Sequence, residues 1–227
     1  MSIRSEVLPF LVSAVVIDIL VMLMCRALGV ARPRTVVAGT VLTLVLTGYL
    51  LYFFRDPERI PPEDNSLIVA GADGIVMRIK ELGEEEFPSM GSFGKAGTVR
   101  ISIFLTLLDV HVNRAPISGK AKFLGYYPGK HLFTFQEKSS DINQHNSILI
   151  KGEKTQCLIN QIVGPVCRRV VYWPDHEKEV DVKMGDRIGM MKFGSRLDMY
   201  FPKDDVTVVV NENDKVRAGE TVVAKLR

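Results

Sequence analysis

Hydrophobic positions crowd the first quarter of the chain and then break into short alternating runs. Val7–Cys25 carries one charge, Asp18, and Thr35–Phe54 carries none. Each run is close to the roughly 20 residues that a helix needs to cross a bilayer. The second has no polar face, unlike a helix that borders both core and water. The pattern predicts a membrane-associated helical hairpin over residues 1–56, turning at Ala31–Thr35, rather than two buried core helices. A cleaved signal peptide fits less well, because the first run is too long, no small-residue cleavage site follows it and a second run comes at once. Asp18 at a helix centre would cost about 2.5–3.5 kcal/mol. It is expected to turn toward the other helix, or the hairpin to sit shallow.

The pattern changes at Arg55–Asn65, where three prolines and mixed charges make a stiff, exposed connection. Beyond it the periodicity is that of strands. Ser66–Ile79 reads as strand, turn, strand around Ala72-Asp73-Gly74. Glu81–Gly97, with Glu84-Glu85-Glu86, reads as a solvated loop. Val99–Leu108, Asn146–Gly152 and Gln156–Trp173 read as strands, the last broken at Gly164-Pro165. The tail from Val206 to Leu226 reads as strand, two turns and strand. No long amphipathic helix is predicted after residue 60. The fold class is therefore mainly β: the helical hairpin, then one largely antiparallel, barrel- or sandwich-like β domain over 57–227.

Charge and cysteine change this picture little. The 227 residues carry a net charge of +3. No basic stripe interleaves with aromatics, so no nucleic-acid partner is expected; a lipid membrane suits the charge equally well. Cys25, Cys157 and Cys167 fit neither a disulfide framework nor a zinc site. His111, His131, His145 and His176 form no ligand pair at helical spacing, so no metal is expected. The hairpin places Arg4, Arg55 and Arg59 on one side and Arg26, Arg32 and Arg34 on the other, so arginine counts leave its orientation open.

Candidate chemistry sits at four turns. Asp73 lies in Gly71–Gly74, which alone reads as an ordinary Asp-Gly turn. His111 ends a very apolar strand, with Asp109 and Arg114 nearby. Tyr126–Phe133 holds a Pro-Gly turn. Gly194-Ser195 interrupts the strand-like stretch Lys192–Phe201, where a bulge is the plain reading. Asp, His and Ser together are the parts of a base-activated nucleophile. The nucleophile elbow G-x-S-x-G is absent, because the local sequence is Lys-Phe-Gly-Ser-Arg. Another reaction is open to such a serine. Its hydroxyl can attack the preceding Gly194 carbonyl and turn the peptide into an ester. Elimination of that ester would cut the chain, and hydrolysis of the resulting dehydroalanine would leave a pyruvoyl group, an electron sink comparable to pyridoxal phosphate.

The stretches GADG, DVHVNRAP, YYPGK, NSILI, QIVGPVCRRV and GDRIGMMKFGSR, in this order and spacing, resemble phosphatidylserine decarboxylase in its short prokaryotic form, from about Arg55 to Arg227. The resemblance implies self-cleavage between Gly194 and Ser195. The large chain would be 1–194, and the small chain 195–227 would begin with the pyruvoyl group made from Ser195. That group would form a Schiff base with phosphatidylserine, release carbon dioxide and yield phosphatidylethanolamine. Asp73 and His111 match the family's acid–base residues. Longer members carry two histidines three residues apart; here the second place is Arg114, which leaves open the group that reprotonates the substrate. Arg114, Arg168 and Arg169 are candidates for the lipid phosphate, since guanidinium suits phosphate. The resemblance further implies a heterodimer of the two chains, dimerised again, at the cell membrane with the β domain on the cytoplasmic face.

Two other readings stand beside it. A related serine ether lipid such as archaetidylserine would leave little local trace. Met190–Phe193 and the tail also resemble a biotinyl or lipoyl carrier domain, but such domains are about half this length and need neither the hairpin nor Asp73 and His111.

Overall fold

A computed structural model describes residues 1–30, 33–83, 97–165 and 170–227. The turn residues 31–32, most of the expected acidic loop (84–96) and residues 166–169 lie outside the described residues. The chain divides into two compact units, Met1–Glu58 and Arg59–Arg227.

The first unit holds β1 (Ser2–Ile3), α1 (Leu8–Ala27), α2 (Pro33–Phe53) and β2 (Arg55–Asp56). β1 and β2 pair antiparallel and close the hairpin at its open end. Arg4 bridges to Asp56 there. The apolar runs Ser5–Ala27 and Pro33–Phe53, 23 and 21 residues long, are mostly exposed within the structure, so they are not core helices. Asp18 does face α2. A Cβ added at Gly39 would lie 3.3 Å from Asp18 Oδ1.

The second unit is almost entirely antiparallel strand. In order these are β3 (Leu67–Val69), β4 (Gly74–Leu82), β5 (Thr98–Leu105), β6 (Val112–Arg114), β7 (Gly119–Tyr127), β8 (His145–Lys151), β9 (Gln156–Val163), β10 (Val170–Tyr172), β11 (Val180–Val182), β12 (Arg187–Met191), β13 (Ser195–Pro202), β14 (Val206–Val208), β15 (Lys215–Val216) and β16 (Val222–Leu226). The one helix among the described residues of this unit is α3 (Ser139–Ile142). Eight strands form one sheet in the order β11-β7-β8-β9-β13-β5-β4-β15, and two three-stranded sheets, β10-β12-β6 and β14-β16-β3, complete the unit.

Side-chain alternation explains the layering. Ile101, Ile103 and Leu105 of β5, and Leu197, Met199 and Phe201 of β13, all point into one apolar core, which they share with Ile68, Ile188, Met191 and Val223 of the smaller sheets. Cys157 is buried in the same core, and burial pushes its thiol up, so it stays protonated. The intervening residues, Arg100, Ser102, Arg196, Asp198 and Tyr200, point to the opposite face, yet all are buried. The segment around α3 covers them.

Candidate active site

The site grows from the turn between β12 and β13. Phe193 and Gly194 have φ of 59° and 70°. For Phe193 this left-handed backbone costs roughly 1–2 kcal/mol. For Gly194 it explains why no side chain is present, since a Cβ there would meet nothing within 4 Å. Ser195 then opens β13. It is fully buried, and its Oγ has no hydrogen-bond partner among the described residues. A buried hydroxyl in that state costs about 1–3 kcal/mol and calls for an explanation. Alternation puts this hydroxyl on the same side as Leu197 and Met199.

Strand register brings the other candidates to the same end of the sheet. Ser195 lies between Leu105 on β5 and Val163 on β9. Ile75 pairs with Phe104, so Gly74 is level with Leu105 and Asp73 lies one residue beyond. Two strand spacings then separate the Asp73 turn from Ser195, about 10 Å along the sheet. The loop after Leu105 leaves from that end and is shaped by Asp109, whose Oδ2 accepts from the Thr106 amide and hydroxyl at 2.7 Å each. The loop returns at His111, whose carbonyl accepts from the Met191 amide at 3.1 Å. His111 is thus level with the end of β12, and Ser195 starts the next strand. The turn 192–194 joins these two strand ends.

His111 is fully buried, and its Nδ1 lies 3.0 Å from the Asp109 carbonyl. A carbonyl only accepts, so Nδ1 must carry the proton. Nε2 then holds the lone pair of the neutral ring, as a general base requires. The carboxylate of Asp73 engages Arg59 Nη2 and the Ala218 amide, both at 2.8 Å. Arg59 also holds Glu220 at 2.8 Å. Sequence reasoning missed Arg59, which sits in the proline-rich connection, and the Asp109 carbonyl, since backbone groups leave no trace in residue type. A cleft of about 720 Å³ opens beside this cluster, lined by Asp73, Thr106, Leu108, Asp109, Lys215 and Arg217 among others.

The arginine candidates separate. Arg114 is buried, and its Nη1 donates to the Gly185 carbonyl at 2.8 Å. Arg168 and Arg169 lie outside the described residues. Lys215 and Arg217, which sequence reasoning passed over, line the cleft instead.

Behind Ser195, on the other face of β13, is a buried polar network also missed from sequence. Arg196 Nε donates to Asp198 Oδ1 at 2.7 Å, and its Nη2 donates to Ser102 Oγ at 2.8 Å. Ser140 Oγ donates to Asp198 Oδ2 at 2.6 Å. Glu137 pairs with Arg100. Tyr200 lies beside the same carboxylate. Burial and the charge on Asp198 push its phenol far above its usual range, so it is a neutral donor. The signal that could have found this network was Arg and Asp alternating within an otherwise apolar strand. Among the described residues no three of His, Cys, Asp and Glu converge as metal ligands.

The family model described as phosphatidylserine decarboxylase matches residues 46–224, a span that includes Asp73, His111, Gly194 and Ser195. The chain belongs to the phosphatidylserine decarboxylase family. It is 39% identical over 187 residues to the phosphatidylserine decarboxylase proenzyme of Carboxydothermus hydrogenoformans, covering 82% of this chain and 84% of that one. It is 38% identical over 200 residues to the proenzyme of the same description from Amoebophilus asiaticus, covering 87% and 85%. Both family relatives are thus described as precursors.

Proposed function

We propose that this chain is a phosphatidylserine decarboxylase that cuts itself between Gly194 and Ser195 and converts Ser195 to a pyruvoyl group. The observation that carries this reading is the buried Ser195 hydroxyl, without a hydrogen-bond partner among the described residues, directly after a left-handed Gly194. A structural serine would be paired; a nucleophile is held ready for its own neighbour.

Maturation balances as follows. Ser195 Oγ attacks the Gly194 carbonyl carbon, a C–O bond forms and the C–N bond breaks. The hydroxyl proton passes through a base to the released amine. His111 Nε2 is the base in this reading. Loss of the Ser195 α proton then expels the Gly194 carboxylate, and water replaces the nitrogen, which leaves as ammonia. The resulting pyruvoyl carbonyl supplies the electron sink that a decarboxylation of an α-amino acid needs. The residues present suit that group: the 195 position is buried and is held on both sides by β5 and β9. Lys215 and Arg217 give the adjoining cleft two cations for a phosphodiester. Asp73 lines the same cleft and completes the proposed acid–base set.

The lipid nature of the substrate is supported by two exposed apolar tips at this end of the sheet. Leu107 and Leu108 stand 49% and 64% exposed on one loop, and the stacked Phe133 and Phe135 stand 57% and 61% exposed on another. The length and apolar character of α1 and α2 support a membrane-associated reading.

Two measurements test the proposal. Intact mass of the purified protein should give two chains divided at 194/195, the smaller with a blocked N-terminus. Those chains should release carbon dioxide from phosphatidylserine vesicles. A single full-length mass would end the self-cleavage reading, and two chains inert on that lipid would end the substrate assignment. His111→Ala is expected to slow self-cleavage about 10²–10⁴-fold, the usual contribution of a general base, and Asp73→Asn is expected to leave most of the chain uncut. A time course of the uncut fraction checks both, and normal cleavage in the pair of variants would remove them from the machinery.

A further inference from the structure

The carbonyl of Gly194 rests against Gly164, which the sequence marked only as a strand break and which was given no part in the chemistry. In the pairing of β13 with β9, Ser195 faces Val163. One step beyond, Gly194 and Gly164 face each other. A Cβ placed on Gly164 would lie 2.6 Å from the carbonyl oxygen of Gly194 and 3.7 Å from its carbonyl carbon. Real Cβ atoms essentially never approach so closely. The same Cβ would also meet Thr134 Cγ2 at 3.4 Å. Thr134 is itself buried, and its carbonyl accepts from Ser139 Oγ at 3.2 Å. Gly164 does not have a left-handed backbone. Pro165 after it favours an extended conformation that any residue can adopt. The glycine is therefore required for space, not for its dihedral angles.

We propose that Gly164 is a positioning residue for self-cleavage. Its bare backbone is the seat on which the Gly194 carbonyl lies while its carbon is presented to Ser195 Oγ. This rests on the self-cleavage reading above and adds the feature that orients the electrophile. Intramolecular attack depends on the carbonyl facing the oxygen within a few tenths of an ångström, and a misplacement of about 1 Å can cost about 100-fold in rate. A methyl group at 164 forces the carbonyl off its seat. The turn can yield, because the space around the Gly194 Cα is open. The fold should survive while the attack geometry does not. Once the chain is cut, Gly194 is only the end of the large chain and takes no part in turnover. Gly164 therefore matters for maturation and not for decarboxylation, a separation that a merely structural role would not produce.

The test is Gly164→Ala in the full-length protein, followed by intact mass against time. Cleavage should slow about 30–100-fold. Decarboxylation of phosphatidylserine vesicles, divided by the amount of small chain present, should stay within about twofold of wild type. A second measurement separates geometry from folding. In the uncuttable Ser195→Ala background, adding Gly164→Ala should move Tm by no more than about 4 °C, the effect of roughly 1 kcal/mol in a domain of this size. Three results would overturn the proposal: cleavage at the wild-type rate, turnover per small chain falling in step with cleavage, or a Tm loss of about 10 °C or more in the uncuttable background. If the wild-type chain itself stays whole, the self-cleavage reading fails, whatever the Gly164 variant does.

Discussion

Ser195→Ala is expected to yield one uncut chain of 25.4 kDa with no decarboxylation above background. In the proposed chemistry Ser195 is both the nucleophile of maturation and the source of the pyruvoyl group, so no other residue can substitute. The fold should not suffer. Ser195 Oγ is buried with no hydrogen-bond partner among the described residues, so its removal breaks no bond seen there. It even relieves a desolvation penalty of about 1–3 kcal/mol. The variant should therefore unfold at the same temperature as the uncut wild-type precursor or somewhat higher. Intact mass and a thermal melt check this together. Cleavage of Ser195→Ala at the same bond would refute the mechanism, and a large drop in Tm would show that the hydroxyl has a structural role.

Arg196→Met is expected to be the most damaging change outside the reactive residues. Arg196 and Asp198 are both fully buried, 2.7 Å apart, on the strand that begins at Ser195. Removing one member of a buried pair typically costs 3–5 kcal/mol, because the other charge is left without its partner. The lower end, about 3 kcal/mol, fits here. The charge on Asp198 also acts on Arg100, and Ser140 and Tyr200 still donate to its carboxylate. Against a typical stability of 5–15 kcal/mol this is a large fraction, and it loosens the strand that presents Ser195. The expected outcome is a precursor that unfolds several degrees lower and matures slowly. The double variant Arg196→Met/Asp198→Leu should recover most of the stability, since an apolar pair of similar volume can replace a buried ion pair. Denaturant titration of the two variants checks the claim. A single variant as stable as wild type would mean that the network carries little of the fold.

Much of this protein was legible in residue order alone. The two apolar runs, the strand-turn-strand at Asp73 and the strands of the tail all follow from local periodicity and turn residues, and the structure has them. Asp73, His111, Gly194 and Ser195 could be singled out because each pairs a reactive or permissive residue type with a turn. Other parts were not readable. β7 (Gly119–Tyr127) alternates weakly and lies next to the sheet edge, with charged and aromatic residues where a core strand would be apolar. Glu81 and Leu82, expected in the acidic loop, instead belong to β4, where they pair with Val99 and Thr98.

The sequence by itself determined the class of the fold and the hairpin, and it singled out the candidate residues of the proposed site, because these depend on neighbours within a few positions. Only the tertiary structure decided that they share one end of the sheet. Register across β4, β5, β13 and β9 sets Asp73, the His111 loop, Ser195 and Gly164 at one sheet end, although they are spread over more than 120 residues of chain. The Asp109 carbonyl at Nδ1 of His111, the cations of the cleft and the Gly164 seat are long-range contacts as well. Such contacts depend on which strands become neighbours, and that is settled by burying one face of the whole sheet at once. No local stretch of sequence carries that information.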